Sequence, residues 1–225
     1  PDMFRFPLQL FCLLFPWRIK RRLLHWFFGY QLHPKAYIGL AWVYPDQLIM
    51  EEGSRIGHFT VAIHLDEVRM QAKATIGRNN WITGFSSKHT SKHFQHQPNR
   101  ISALYMGEGA AITKHHHIDC TSPIHIGKFT TIAGYYSQLL THSIDIYESR
   151  QDSHPISIGD YCFVGTNVVI LGGARLPDYS VLGAKSILNK SYEQPNMLYG
   201  GNPAKPIQAI DTSAKYFQRQ QPFVY

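Results

Sequence analysis

The chain of 225 residues is 44% hydrophobic and 16% charged, a composition that argues against a disordered protein or a coiled coil. Its formal net charge of +7 is concentrated in residues 1–35, which contain six basic residues and one acidic residue. The rest is nearly balanced in charge and lacks a recognition motif, so we expect no nucleic-acid partner.

Residues 1–35 are predicted to form a basic amphipathic segment. Their longest uncharged apolar run, 6–17, is shorter than the roughly 20 residues that span a bilayer. A helix from Trp17 onward would separate an apolar side (Ile19, Leu23, Trp26, Phe27, Tyr30) from a basic side (Arg18, Arg21, Arg22, His25). Residues 3–30 therefore either lie on an anionic membrane or pack over the end of the next domain.

Aliphatic residues then recur at every sixth position. The ladders are Ile38, Tyr44, Met50, Ile56, Ala62 and Val68, continued by Ile76 and Ile82; Met106, Ile112, Ile118 and Ile124, continued by Ile126 and Ile132; and Ile158, Val164, Ile170, Leu176, Leu182 and Leu188. One hexad describes a short strand and a turn, and three hexads close a triangular coil. We predict an all-β parallel β-helix over 36–206, followed by a tail, 207–225.

Two stretches interrupt the ladders and are predicted to be external loops, 86–100 and 139–154. Loops on a rigid scaffold commonly carry function. The second loop contains His142, and the first is expected to form a wall of a binding site.

The chain has three cysteines and no CxxC pair, which is typical of reduced thiols in the cytoplasm. We therefore expect a cytoplasmic protein. If residues 3–30 contact a membrane, we expect the protein at its inner face. Cys162 falls at a small core position.

The stretch "HPISIGDYCFVGTNVVILGGARLPDYSVLGAKSILNK", which runs on to "GGNPAK", resembles the hexapeptide-repeat acyltransferases, in particular those that acetylate galactosides, maltose or polysaccharides. The resemblance implies a left-handed coil, a homotrimer and active sites between neighbouring subunits. It also implies acetyl-CoA as the acyl donor. The acceptor would be a hydroxyl of a sugar or glycan, which could be nucleotide-linked. The basic segment 3–30 would suit an acceptor that is lipid-linked or destined for a surface polysaccharide.

His142, in "THSID", is the expected catalytic base, because it matches the family's histidine in kind. Acyl transfer to a hydroxyl needs a base, and histidine suits neutral pH. Asp145 is the expected orienting partner as the nearest carboxylate in sequence, and Glu148, Asp152 or a backbone carbonyl could take its place.

Glycines spaced by eighteen, Gly165, Gly183 and Gly201, would share one corner of successive coils and leave a groove for the pantetheine arm. Tight corners also favour glycine for conformational reasons alone. The expected coenzyme-binding residues are Phe163, Gly165, Thr166, Gly183, Ala184, Lys185, Lys190, Pro203 and Lys205. Within this set, the resemblance places Lys205 near the coenzyme phosphates.

"KHHHIDC" suggests different functions. On a strand His115 and His117 would share a side, where they could bind the acceptor, while His116 would point inward. A zinc carbonic anhydrase of the same fold would need further ligands, and we expect no metal. Two more hypotheses are an N-acetyltransferase that acts on an amino sugar and a scaffold without catalysis.

Overall fold

The computed structural model describes residues 5–89 and 91–224. This part of the chain forms a left-handed parallel β-helix with two α-helices at its N-terminal end, which confirms the predicted fold. Residues 3 and 4 of the predicted membrane segment, Thr90 of the first loop and Tyr225 of the tail lie outside the described residues.

The strands form three faces of a triangular prism. Face one contains β1 (Gln31–Leu32), β4 (Gln47–Met50), β7 (Glu67–Met70), β10 (Ala103–Met106), β13 (Ile124–Ile126), β18 (Ile156–Ile158) and β21 (Arg175–Leu176). Face two contains β2 (Tyr37–Ile38), β5 (Arg55–Ile56), β8 (Thr75–Ile76), β11 (Ala111–Ile112), β14 (Thr131–Ile132), β19 (Phe163–Val164), β22 (Val181–Leu182), β24 (Met197–Gly201) and the antiparallel β25 (Ala204–Ala209). Face three contains β3 (Trp42–Tyr44), β6 (Val61–Ile63), β9 (Trp81–Thr83), β12 (His117–Asp119), β15 (Gln138–Leu140), β20 (Val169–Leu171) and β23 (Ile187–Leu188).

The aliphatic ladders form the core. Every ladder residue is at most 5% exposed, because each coil turns the same hexad position inward. Val164 pairs with Leu182, three hexads further along the chain, whereas Ile112 pairs with Ile132, which is more than three hexads away. The slips in the ladders therefore correspond to longer coils. Cys162 is buried, and all three cysteines are free thiols, as expected.

Two insertions project from the coil where the ladders break. The first is an irregular loop between β9 and β10. The second is an antiparallel hairpin of β16 (His142–Asp145) and β17 (Arg150–Ser153). The predicted start of this second loop at residue 139 is wrong, because Leu139 lies in β15 and is fully buried.

The N-terminal helices, α1 (Arg5–Leu13) and α2 (Trp17–Phe28), cover the first coil. Leu24 joins the core, and the Lys20 ammonium donates a hydrogen bond to the carbonyl of Gly39 at 3.2 Å. Burial lowers the pKa of Lys20, an effect that Cys12 opposes. The predicted packing over the domain end is thus observed. The coil already begins at β1, upstream of the boundary predicted at residue 36.

The outer surface of this cap differs from the predicted helical sides. Tyr30 is buried and Leu23 and Phe27 pack on the core, so these three do not belong to an exposed apolar side. Apolar and basic side chains instead share the outer surface: Leu10, Phe11, Leu14, Arg18, Ile19, Arg22 and Trp26 are exposed. In the part of the chain that the structure covers, no helix combines the length and apolar character needed to cross a bilayer.

The C-terminal tail folds back along the prism. β25 extends past the boundary predicted at residue 206, and a short 3₁₀ helix, Lys215–Gln218, follows. The Tyr216 hydroxyl donates to the carbonyl of Cys162 at 3.1 Å, and the Arg219 guanidinium lies 3.8 Å from the centroid of the Tyr216 ring. The tail is therefore packed against the coils that contain the predicted coenzyme groove.

Candidate active site

His142 lies at the corner between faces three and one, which we call the third corner. It is the first residue of β16 and follows the buried Thr141, whose hydroxyl donates to the carbonyl of Asp119 at 2.8 Å. The chain leaves the coil at this point, so the imidazole is held at the surface with a 37% exposed side chain. A rigid base that is open to solvent on one side can reach a bound hydroxyl.

The carboxylate beside His142 is Asp119. Asp119 Oδ2 lies 3.7 Å from His142 Nδ1, while Asp119 Oδ1 accepts from the Thr121 amide at 2.8 Å. Asp145 instead lies 3.5 Å from the Arg150 guanidinium and accepts from the Tyr147 amide at 3.1 Å. The predicted pairing of His142 with Asp145 is therefore wrong, because the hairpin turns that carboxylate toward its own turn.

The sequence interpretation missed Asp119 because the residue belongs to the preceding coil. β12 pairs with β15, which puts Asp119 beside Leu140, just upstream of His142. Asp119 precedes His142 by about the length of one coil, and this spacing could have indicated the contact. The slips in the ladders, however, concealed which residues of successive coils lie side by side.

Glu148 and Asp152 were also predicted as possible orienting carboxylates. Asp152 lies 3.4 Å from His96 Nε2 and 3.1 Å from His154 Nε2. Burial raises the pKa of the Asp152 carboxyl, but hydrogen bonds from His96, the Ser153 amide and His154 outweigh burial and lower it overall. Asp152 therefore joins the two insertions.

The first insertion supports the imidazole from the other side. The Phe94 ring is buried and meets the His142 ring edge-on, with 5.5 Å between centroids. Arg100 lies 4.4 Å from the centroid of Phe94, within the range of a cation–π contact. Gln97 donates to Asp152 at 2.8 Å and to the carbonyl of Ser153 at 2.9 Å. The two insertions thus form one unit around His142.

A cavity of about 560 Å³ opens between the two insertions. Gln151 lines it, and Gln151 Oε1 is also within hydrogen-bond distance of His142 Nε2. Residues 92–96 of the first insertion form the opposite wall. The first loop therefore forms one wall of this cavity, and its role in binding a substrate stays a prediction.

The predicted coenzyme residues cluster elsewhere, at the corner between faces two and three, which we call the second corner. Gly165, Thr166, Gly183, Ala184 and Lys185 follow β19 and β22 and form two levels of this corner. Phe163 is on the outer surface of face two, where its ring meets that of Tyr216 of the tail with 5.9 Å between centroids. Face three separates this cluster from His142 within one chain.

The two glycines of the second corner have different surroundings. A Cβ at Gly165 would lie 2.7 Å from the amide nitrogen of Ala184, so any side chain here would force the backbone of the next coil to shift. A Cβ at Gly183 would meet its nearest atom, the carbonyl oxygen of Tyr199, at 3.5 Å, an ordinary contact. The close approach of coils explains Gly165 but not Gly183. The open space at Gly183 fits a ligand that lies against the backbone.

The remaining predicted coenzyme residues and the third glycine of the column lie in or near the last coil. Leu182 pairs with Tyr199, so Gly200 and not Gly201 follows Gly183 in the column, which corrects the predicted register. The last coil is thus slightly shorter than three hexads. Lys205 pairs with Gly200 across the β24–β25 hairpin, and Pro203 lies in its exposed turn. Lys190 follows β23 at the third corner, across face three from Lys205.

The three consecutive histidines differ in environment. His115 lies at the second corner, 3.3 Å from Asn79 Nδ2, and His117 is exposed on the outside of face three. His116 points inward, as expected: its Nδ1 accepts from the Ser137 amide and its Nε2 lies 2.9 Å from the Thr113 hydroxyl. Burial, with a smaller effect of His115, lowers the pKa of His116 to about 4, so this core side chain is neutral.

Within residues 5–89 and 91–224, no three or more His, Cys, Asp or Glu side chains are grouped so that they could hold a metal ion. His115 lies at the second corner, whereas His117 is the first residue of β12. The two histidines are therefore not on the same strand, as the prediction of a shared side assumed.

Comparison with known proteins identifies relatives of this fold. Galactoside O-acetyltransferase of Escherichia coli is 38% identical over 65 residues, which cover 29% of this chain and 32% of that enzyme. An inferred acetyltransferase of Staphylococcus aureus is 35% identical over 81 residues, 35% of this chain and 39% of that protein. The crystal structure of the polysialic acid O-acetyltransferase OatWY superposes with a TM-score of 0.60 at 16% identity and covers 80% of this chain and 84% of that one. No family model matches the chain.

The resemblance to hexapeptide-repeat acetyltransferases is confirmed. The sequence matches are local, and the chain spans no more than about two fifths of the length of these curated relatives. The superposition extends over most of the chain and establishes the fold.

Proposed function

We propose that the protein transfers an acetyl group from acetyl-CoA to a hydroxyl of a sugar, with His142 as the general base. The observation that carries the proposal is the position of the imidazole, between the Asp119 carboxylate on the Nδ1 side and Gln151, a residue that lines the cavity, on the Nε2 side. Relatives that are named sugar O-acetyltransferases lend support. Surface glycan synthesis is the proposed context.

The residues can perform the transfer without a covalent enzyme intermediate. With the ring proton on Nδ1, facing Asp119, His142 Nε2 is able to accept the proton of the acceptor hydroxyl while the hydroxyl oxygen attacks the thioester carbonyl carbon. The carbon–sulfur bond then breaks, and the imidazole returns the proton to the departing sulfur. In the present arrangement Nε2 faces Gln151 Oε1, which can only accept a hydrogen bond, so the Gln151 side chain has to move aside before Nε2 can accept the proton of the acceptor hydroxyl.

The proposed enzyme is a homotrimer in which neighbouring chains complete the site. When three prisms turn face three toward a threefold axis, the second corner of one lies beside the third corner of the next. This arrangement would bring the coenzyme cluster of one chain to His142 of its neighbour. Exposed apolar side chains on face three and the second corner support it: Leu40, Phe59, Trp81, Tyr136 and Leu171.

The decisive test replaces the base. His142→Ala should lower kcat for acetyl transfer by about a hundredfold or more, the range of a general base, and leave the affinity for acetyl-CoA unchanged. Release of the coenzyme A thiol in the presence of sugar acceptors measures the first quantity, and isothermal titration measures the second. Full turnover by this variant would reject His142, and a wild-type chain that does not bind acetyl-CoA would reject the function.

A second part of the proposal is that the helical cap contacts an anionic membrane from the cytoplasmic side. Leu14 and Trp26 are 79% and 78% exposed, and Arg18 and Arg22 are on the same outer surface. Aromatic and aliphatic groups among basic residues suit the interface of an anionic bilayer, where each cation contributes about 1 kcal/mol. In a trimer the three caps would be at the same end.

Vesicle flotation tests the membrane contact. Wild-type protein should float with vesicles that contain phosphatidylglycerol and much less with pure phosphatidylcholine vesicles. The double substitution Leu14→Ser with Trp26→Ser should abolish flotation, because both side chains point away from the fold. Phe223→Ser removes an exposed ring from the tail and is the matched control. Equal flotation of all three proteins would contradict the proposal.

A further inference from the structure

The charged side chains that line the cavity beside His142 have one sign. Lys92 and Arg150 are cations, two further lining residues are histidines (His93 and His96), and none of the described lining residues is a carboxylate. Lys92 and Arg150 approach from different insertions, so the cavity has a cation on each wall. A neutral sugar gains little from two cations that it has to desolvate.

The nearby carboxylates neutralise only part of this charge. Asp145 lies 3.5 Å from the Arg150 guanidinium, and Asp152 lies 3.4 Å from His96. A guanidinium has five N–H donors, so Arg150 can bind a second oxyanion while it contacts Asp145. Among the ion pairs of residues 5–89 and 91–224, none involves Lys92.

The size and the remaining surface of the cavity suit a substituted sugar. Its volume of about 560 Å³ is within the range of about 300–1,000 Å³ of small-molecule sites. Ile144 provides exposed apolar surface for a sugar ring, while Gln95, Ser149 and Gln151 provide hydrogen-bonding groups. Gln151 also contacts His142 Nε2, so a sugar that displaces the Gln151 side chain from the imidazole would place a hydroxyl next to the proposed base.

We infer that the acceptor is an anionic sugar, whose oxyanion is bound by Lys92 and Arg150. The oxyanion is a carboxylate on the sugar ring or a phosphate at its anomeric position, and the two share the same recognition chemistry. The inference rests on the proposed acetyl transfer and specifies its acceptor.

Isothermal titration of the full chain tests the inference with two anionic probes, methyl glucuronide and glucose 1-phosphate, each of which differs in one substituent from a neutral probe, methyl glucoside. At least one anionic probe should bind tenfold or more tightly than methyl glucoside, and salt should weaken that binding. Lys92→Gln should reduce the anionic affinity about tenfold. Lys88→Gln is the matched control, because it removes the same charge from the same loop at a position that pairs with Asp46.

Equal affinity for charged and neutral probes, or no binding of either anionic probe, would overturn the inference. A weaker affinity of Lys92→Gln for acetyl-CoA, with unchanged sugar binding, would also overturn it and assign the cavity to the coenzyme. A different result would reject the proposed function alone: the anionic probes bind as expected, but no sugar promotes release of the coenzyme A thiol. Transfer to neutral sugars without preference would uphold the function and reject the anionic acceptor.

Discussion

At the scale of single residues, the geometry around His142 indicates which nearby carboxylate would position its imidazole ring. Asp119 lies on the Nδ1 side of the ring and is itself fixed by the Thr121 amide. Asp119→Asn should therefore lower kcat about tenfold to a hundredfold, because a misplaced base loses its alignment with the acceptor. The KM for acetyl-CoA should not change. Steady-state kinetics with both substrates varied separate the two effects.

Asp145→Asn provides the comparison for this prediction. Its carboxylate contacts Arg150 and the hairpin turn, so kcat should change much less than in Asp119→Asn. A larger loss of kcat in Asp145→Asn than in Asp119→Asn would show that the hairpin rearranges during catalysis and that Asp145 orients the base after all.

At the scale of structural elements, the second corner predicts opposite outcomes for two similar substitutions. Gly165→Ala should destabilise the fold by about 1–3 kcal/mol, because the added methyl group meets the backbone of the next coil. Gly183→Ala should leave the unfolding temperature nearly unchanged and weaken acetyl-CoA binding. Thermal unfolding and isothermal titration measure the two effects. Unchanged coenzyme affinity in a stable Gly183→Ala protein would remove this corner from the coenzyme site.

The elements also show what the sequence could predict. The core was predictable because a β-helix repeats one inward position in every hexad, and an aliphatic residue has to fill it. His142 was predictable because it stands where that repeat ends. The partnership of Asp119 with His142 was not, since it depends on the register between coils of unequal length. The sequence pattern likewise predicted a helix from Trp17 onward, but not its two sides, because Lys20 and Leu24 face the core while Ile19 and Trp26 are exposed.

At the scale of the whole molecule, the separation of His142 from the second corner predicts that two inactive chains can complement each other. Ala184→Trp should fill the proposed coenzyme groove, and His142→Ala removes the proposed base, so each variant alone should be inactive. If the proposed trimer assembles at random from an equal mixture, about a quarter of all subunit boundaries would combine two intact halves, because each boundary draws one side from each neighbour. Unfolding the two variants together and refolding them should restore about a quarter of the wild-type activity.

The thiol-release assay measures this complementation, with each variant refolded alone as its control. An active site contained within one chain could not be rebuilt by mixing, so activity that stays at the level of the separate variants would contradict the shared site.

The helical cap also determines how the stack of coils ends. An uncovered β-helix end is an open sheet edge, and an edge is a template for another chain. Side chains of the N-terminal helices bind carbonyl groups of this first coil: Trp17 donates to Ala36, Lys20 to Gly39 and Arg21 to Leu32. At the other end β25 turns back antiparallel to β24, which stops the parallel repeat. The N-terminal helices and β25, which cover the two ends of the core, therefore also prevent further chains from adding to the stack of coils and forming a fibre.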